Sequence, residues 1–319
     1  MENRVGQQLQ RVPRRTMTIG LACGGAALGI GGLAAARRLF PYFSFDERMR
    51  ATHARAMPHI EKADADSQAG IESSLQPLQA FFDEAKGHAP AFAGDVLGWY
   101  SKYKLIRGQH EEFLAETFRT HFFGPDELKQ AMTDAVTGYV ANLEAVDNRM
   151  LVDIRMDVAD LPAGVSLAAM PVPDLVERYR SVCGRIAGIT GADTAVDVGR
   201  AAADMIVSSV VTMMAARIGT SAVVLGAGAA TSWWTLGIGL VVGVIVDQII
   251  AAVWNWTYDP HRKLVSMMDT KIDEVRTLVL DGDDGKPGLR EELRRYADKR
   301  AIVRREAVLQ LLADTTGSK

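Results

Sequence analysis

GPDELKQAMTDAVTGYVANLEAVDNRMLVDIRMDVADLP, residues 124–162, is the stretch whose reading decides the fold. Pro125 follows Gly124, and Asp126 and Glu127 come next, so proline holds the first helical position and acids fill the first turn. Proline's missing N–H costs nothing there, and negative charge suits the positive end of the helix dipole. Leu128, Met132, Val136, Tyr139, Leu143, Val146, Met150, Ile154, Val158 and Leu161 then recur three or four residues apart. This spacing draws one apolar stripe along roughly ten turns of helix. Pro162 ends it, because the residue before a proline avoids the helical region. The pattern predicts one long helix, an all-α fold and a long-helix, coiled-coil-like bundle.

The flanking sequence reads the same way. Ala91–Phe123 forms a helical pattern rich in aromatics: Phe92, Trp99, Tyr100, Tyr103, Phe113, Phe118, Phe122 and Phe123. Aromatics at helical spacing belong to a core before they belong to a ligand site. Pro58 and Pro77 are expected to interrupt shorter helical stretches. A linker from Pro162 to Pro173 leads to a helix beginning near Asp174. Leu264, Met268, Ile272, Val275 and Val279 line one face of a later helix. After a turn at Asp281–Gly288, Leu289, Leu293, Tyr296, Val303, Ala307 and Leu311 line a last one with a charged outer face. These two stripes need a partner, and the middle of the chain is the simplest one. A helical soluble domain over 44–200, with a C-terminal helical pair at 260–313 packed on it, is therefore expected.

Two other stretches read as membrane segments. Thr16 to Ala36 has no charge, lies between Arg14-Arg15 and Arg37-Arg38, and follows a basic segment at 1–15. At ~1.5 Å per residue it is about 30 Å long as a helix, enough to cross a bilayer's hydrocarbon core. Phe40, Tyr42 and Phe43 follow where an interfacial aromatic belt would lie. Gly20/Gly24 and Gly25/Gly29 provide two GxxxG faces for close helix approach. Three other readings stay open: a twin-arginine export signal, a cleavage site at Ala34–Ala36, and a lipoprotein box around Cys23.

From Met205 to Val253 the only charges are Arg217 and Asp247. This region, 205–256, is read as a transmembrane hairpin turning near Ser232. Trp233 and Trp234 mark one interface and Trp254, Trp256 and Tyr258 the other. Arg217 and Asp247 are equidistant from Ser232, so they are expected to pair at similar depth, which relieves the cost of charge in lipid. Gly239 and Gly243 add another GxxxG face. A wholly apolar hairpin can also be the buried centre of a soluble bundle, as in the pore-forming domains of colicin-type toxins; no motif here matches them, and the likeness is one of architecture only.

Charge sets topology and excludes some partners. Residues 1–43 carry net +5 and residues 44–200 net −8. The basic start favours a cytoplasmic N-terminus and an extracytoplasmic body, while Arg262 and Lys263 at the hairpin's base point the other way. No basic stripe is interleaved with aromatics, so nucleic acid is not an expected partner.

The chain carries no catalytic or cofactor motif. His110, Glu111, Glu112, Glu116 and His121 crowd one helix but lack the Glu-x-x-His spacing of di-iron bundles. Asp281-Gly-Asp-Asp-Gly resembles the start of a calcium loop, with Lys286 where that loop requires glycine. Cys23 and Cys183 are too few for a disulfide framework. No enzyme activity, metal or cofactor is expected. The sequence reads as an integral membrane structural or interaction protein, self-associating or docked on a larger membrane assembly. A helical pore built on 205–256 is the alternative.

Overall fold

The computed structural model describes residues 47–98, 110–161, 165–190, 200–219, 245, 248, 258–283 and 285–316. The chain divides at Ser44/Phe45 into two units, the first of which lies outside the described residues. The fold is all-α. Its helices are α1 (Glu47–Gly87), α2 (Ala89–Leu97), α3 (His110–His121), α4 (Pro125–Asp157), α5 (Val165–Ala169), α6 (Val172–Thr190), α7 (Arg200–Gly219), α8 (Pro260–Leu280) and α9 (Leu289–Thr316). A two-residue ladder, β1 (Gly282–Asp283) with β2 (Lys286–Pro287), separates α8 from α9.

α4 starts as its sequence dictates. Gly124 is the N-cap, Pro125 opens the helix, and the Gly124 N–H donates to Glu127 Oε2 at 2.7 Å. Every stripe residue from Leu128 to Val158 is buried. The helix stops at Asp157, short of the expected Leu161. Arg55 lies at this end, donating to the Asp157 carbonyl at 2.8 Å and pairing with Asp160, where a cation meets the negative end of the dipole.

α1 corrects the expectation of shorter stretches broken by proline. It runs through 41 residues, about 60 Å, with Pro58 and Pro77 inside it. Both prolines are exposed, off the stripe formed by Ala56, Ile60, Ala63, Ser67, Ile71, Leu75, Leu78, Phe82 and Ala85. A proline on the water side frees carbonyls that solvent can satisfy, while burial of Leu, Ile and Phe at about 1.5–3 kcal/mol each holds the opposite face. α1 packs antiparallel on α4. Ser67 faces Tyr139, Gly70 faces Asn142, and the Phe82 ring meets Phe123 edge-on at 6.0 Å between centroids. The sequence between Ala91 and Phe123 makes two helices, α2 and α3. Phe92, Phe118 and Phe123 are fully buried, and Trp99, Tyr100 and Tyr103 lie outside the described residues.

α8 and α9 run one after the other along α1 in the same direction. Lys86 and Asp83 meet Asp273 and Arg276 on α8, while Glu72 and Gln68 meet Arg290 and Asp298 on α9. The chain manages this without reversing because the β1–β2 ladder folds the connection onto itself. Gly282 and Gly285 take positive φ there, and Gly288 packs against the backbone of Asp281 and Gly282.

Two hydrophobic clusters are stacked along the helices. One joins Ile71–Ala85, α2, α3, Leu128–Leu143, α7, α8 and Leu289–Ala297. The other joins Ala56–Ala63, Val146–Val158, α6 and Val303–Leu312.

Only the start of the apolar region read as a transmembrane hairpin, with Ile245 and Gln248, lies among the described residues. Ile206, Val207, Val210, Val211, Met213 and Met214 of α7 are buried in the first cluster, and so is Ile245. Protein surrounds these residues. The outer face of α7 carries Asp204, Ser208, Ser209 and Thr212, with Ser209 donating to Glu292 at 3.4 Å. Among the described residues no helix is long and apolar enough to cross a membrane. The anchor at 16–36, the glycines Gly20, Gly24, Gly25, Gly29, Gly239 and Gly243, the tryptophans Trp233, Trp234, Trp254 and Trp256, and the Arg217–Asp247 pairing lie outside what is described.

Candidate functional site: a buried charge layer

The most unusual chemistry lies at the seam between the two clusters. On α1 the seam falls at Ser67, on α4 at Asp147, and on α9 at Arg300 and Arg304. Each residue occupies an apolar-stripe position: Ser67 between Ala63 and Ile71, Asp147 between Leu143 and Met150, and Arg300 between Tyr296 and Val303. Helical periodicity therefore turns all of them inward at one level.

Burial is nearly complete. Asp147 is 2% exposed, Arg300 4% and Arg304 0%. The Asp147 carboxylate accepts from both guanidinium groups. Arg300 Nη2 and Nε reach Oδ2 at 2.6 and 3.0 Å, and Arg304 Nε reaches Oδ1 at 2.6 Å. Arg304 Nη1 pairs with Asp64 and Nη2 donates to Ser67 Oγ at 2.8 Å. Ser67 donates its own proton to the Ala63 carbonyl at 2.6 Å, and Tyr139 Oη donates to the Ser67 carbonyl at 3.1 Å. Two cations thus face two carboxylates, one of them at the rim, and the layer is neutral.

The electrostatics follow from this geometry. Burial is the largest single effect and opposes the charge on Arg300, yet the adjoining Asp147 carboxylate together with Tyr179 and Cys183 holds the guanidinium above its ordinary range. Arg304 behaves alike, between Asp147 and Asp64. Burial raises the phenols of both Tyr139 and Tyr179 above their ordinary range. The Cys183 thiol beside them is pushed up to about 11, chiefly by burial. It is a neutral thiol at physiological pH, so the cluster holds no thiolate nucleophile. Tyr179 Oη is the one buried side-chain oxygen or nitrogen among the described residues without a hydrogen-bond partner. The guanidinium donors engage protein acceptors on two neighbouring helices. Such an arrangement fixes helix register, and removing one member leaves a buried charge exposed to the full cost of desolvation.

The residues singled out from sequence are placed elsewhere. Glu112, Glu116 and His121 border a shallow cleft, where His121 Nε2 lies 2.7 Å from Asp95 Oδ2 and Arg119 pairs with Glu116 at 3.3 Å. Among the described residues, no group of three His, Cys, Asp or Glu side chains is arranged to hold a metal. The calcium-like turn is the β1–β2 connection, and Asp281 is engaged by Arg290. Tyr258 is 81% exposed at the entry to α8. The charge layer is legible as polar interruptions in three apolar stripes, a signal that a search for catalytic and metal motifs passes over. Comparison of the chain with known protein families, characterised proteins and solved structures finds no match.

Proposed function

We propose that the protein is a membrane-anchored structural protein whose helical body self-associates or docks on a larger membrane assembly. The observation that carries this reading is the uncharged stretch Thr16–Ala36, bounded by arginine pairs and long enough to span the bilayer, joined to a body cross-locked by charge. The layer of Asp147, Arg300 and Arg304 turns its donors inward on the protein, which suits a rigid support. The GxxxG spacings at Gly20/Gly24 and Gly25/Gly29 supply a face for self-association. The test is extraction from membranes in mild detergent followed by mass measurement of the complex. An oligomer, or a stoichiometric co-purifying protein, is expected. A monomer at micromolar concentration with no partner refutes the proposal.

A second reading is a pore-forming hairpin in the apolar chain between Met214 and Ile245, both of which are buried in the body's core. The chain between them is 30 residues long. Folded at Ser232, it offers arms of about 17 and 12 residues, or ~26 and ~18 Å, both short of the ~30 Å hydrocarbon thickness. A spanning hairpin therefore requires α7 to leave the core, which makes insertion a conditional event. Liposome leakage induced by the protein and altered by Asp247→Asn supports this reading. Absence of leakage across pH and lipid composition removes it.

A further inference from the structure

We infer that the outward face of α4 between Asp134 and Val152 docks a second copy of the chain, antiparallel, across a twofold axis. The inference rests on the self-association proposed above and gives it a surface on the helical body. Two observations carry it.

The first is symmetry of charge. Asp134 and Arg149 are both exposed on this face, fifteen residues apart. Asp134 accepts from Gln130 of its own helix at 2.6 Å, and neither charge pairs with a neighbouring helix among the described residues. Their midpoint falls between Ala141 and Asn142. Gly138 and Ala145 are symmetric about the same point, and so are Ala131 and Val152. Two copies of α4 crossing there in opposite directions set Asp134 against Arg149 twice, once on each side of the axis. Between these pairs, Gly138 meets Ala145 twice and lets the backbones approach, and Ala131 meets Val152 at the outer ends. A twofold interface has to be self-complementary in this way. In the parallel alternative, carboxylate would face carboxylate and guanidinium would face guanidinium, which rejects it.

The second is composition against position. Between Asp134 and Met156 the exposed residues of α4 are Thr137, Gly138, Ala141, Ala145 and Arg149. One charge thus serves about six turns. The last helix shows the contrast: from Leu289 to Leu312 its exposed residues are Arg294, Arg295, Asp298, Lys299 and Arg305, every one charged. Past the symmetric stretch stands Met156, a large apolar side chain 72% exposed. A side chain at Gly138 would meet open space, so no contact within the chain requires a helix-weakening glycine there. Gly184 of α6 is equally open, but it stands between Ser181 and Arg185, which bond to each other and make that face polar.

Magnitude decides what such a contact can do. The face is about 27 Å long and one helix wide, so it covers well under the ~800 Å² per partner of a standard interface. It pairs copies whose local concentration a shared membrane has already raised.

The test uses the full chain reconstituted into vesicles, with Cys23→Ser as background and Cys183 left buried. Ala141→Cys, beside the axis, is expected to form a disulfide-linked dimer on mild oxidation several-fold faster than Ala69→Cys on the exposed side of α1. Arg149→Asp should cut the Ala141→Cys yield about tenfold by setting like charges opposite each other twice. Adding Asp134→Arg should restore it, because the swapped charges pair again. These positions are exposed, so circular dichroism should show the same helix content throughout. Equal rates at 141 and 69, or no rescue by the charge swap, overturns this face; a mass measurement that still shows an oligomer then leaves the self-association reading standing. Cross-linking of Ala141→Cys to a different protein overturns the second copy as occupant and favours docking on a larger assembly. A monomer by mass in mild detergent, with no dimer in vesicles, refutes self-association and this surface together.

Discussion

Replacing Asp147 with asparagine is the sharpest test of the charge layer. The substitution keeps the side-chain shape and one acceptor oxygen but removes the charge that faces both guanidinium groups. Arg304 retains Asp64, whereas Arg300, 4% exposed, loses the carboxylate that its Nε and Nη2 both contact. Removing one partner of a buried ion pair costs about 3–5 kcal/mol. Set against a typical total of about 5–15 kcal/mol, that is enough to move an unfolding curve far outside error. Urea unfolding of the full chain in mild detergent, followed by circular dichroism at the helical band, should show an early midpoint with an unchanged slope. Arg300→Gln should cost a similar amount, and the double variant less than the sum of the two, because both changes remove the same Asp147–Arg300 contact. A loss below about 1 kcal/mol for Asp147→Asn, or strict additivity in the double variant, would refute the argument that these groups hold the helices in register.

Other outcomes follow from the same structure. Cys183 should resist thiol reagents at neutral pH in the folded protein and react on unfolding; because its folded pKa of about 11 lies above the ordinary 9.0, its share of stability is lost as pH rises between those values, where the unfolded chain gives up the proton first. Gly288→Ala should destabilise more than Gly285→Ala even though, of the two, Gly285 alone has a positive φ. A methyl at 288 meets the backbone of Asp281 and Gly282, while one at 285 meets open space and costs about 1–2 kcal/mol of left-handed strain. Gly70→Ala should lie within about 1 kcal/mol of wild type, since the added carbon meets only the movable end of Asn142 and alanine favours helix; Gly70→Leu should cost about 1–3 kcal/mol by overpacking the α1–α4 contact. Thermal or urea unfolding measures each of these.

The long helices are legible because their signals are local and repeated. Pro125, Asp126 and Glu127 announce the start of α4, and eight evenly spaced apolar residues from Leu128 to Ile154 give its inner face. The stripes on α8 and α9 are equally plain. α1 is harder, since proline acts as a breaker in isolation, and only the exposure of Pro58 and Pro77 explains their tolerance. α7 is ambiguous for a different reason. Its outer face is built from Ser208, Ser209 and Thr212, so counting charges over 205–256 does not distinguish an amphipathic helix from a lipid-facing one. Asp147 and Arg300 are hidden among the ordinary charges of a helical surface. Their stripe positions expose them once the question becomes which apolar face contains a polar residue.

The charge layer also bears on how the chain matures during synthesis. Asp64, Ser67 and Asp147 leave the ribosome long before Arg300 and Arg304, which lie in the final helix. Until that helix arrives, the seam between α1 and α4 contains carboxylates whose burial has no counter-ion, so water must stay in it. A nascent chain can gather its two apolar clusters early, but it cannot dry the layer between them. Completion of the last helix is thus the event that closes the body, and a chain stopped short of Leu289 keeps a wet joint at its centre.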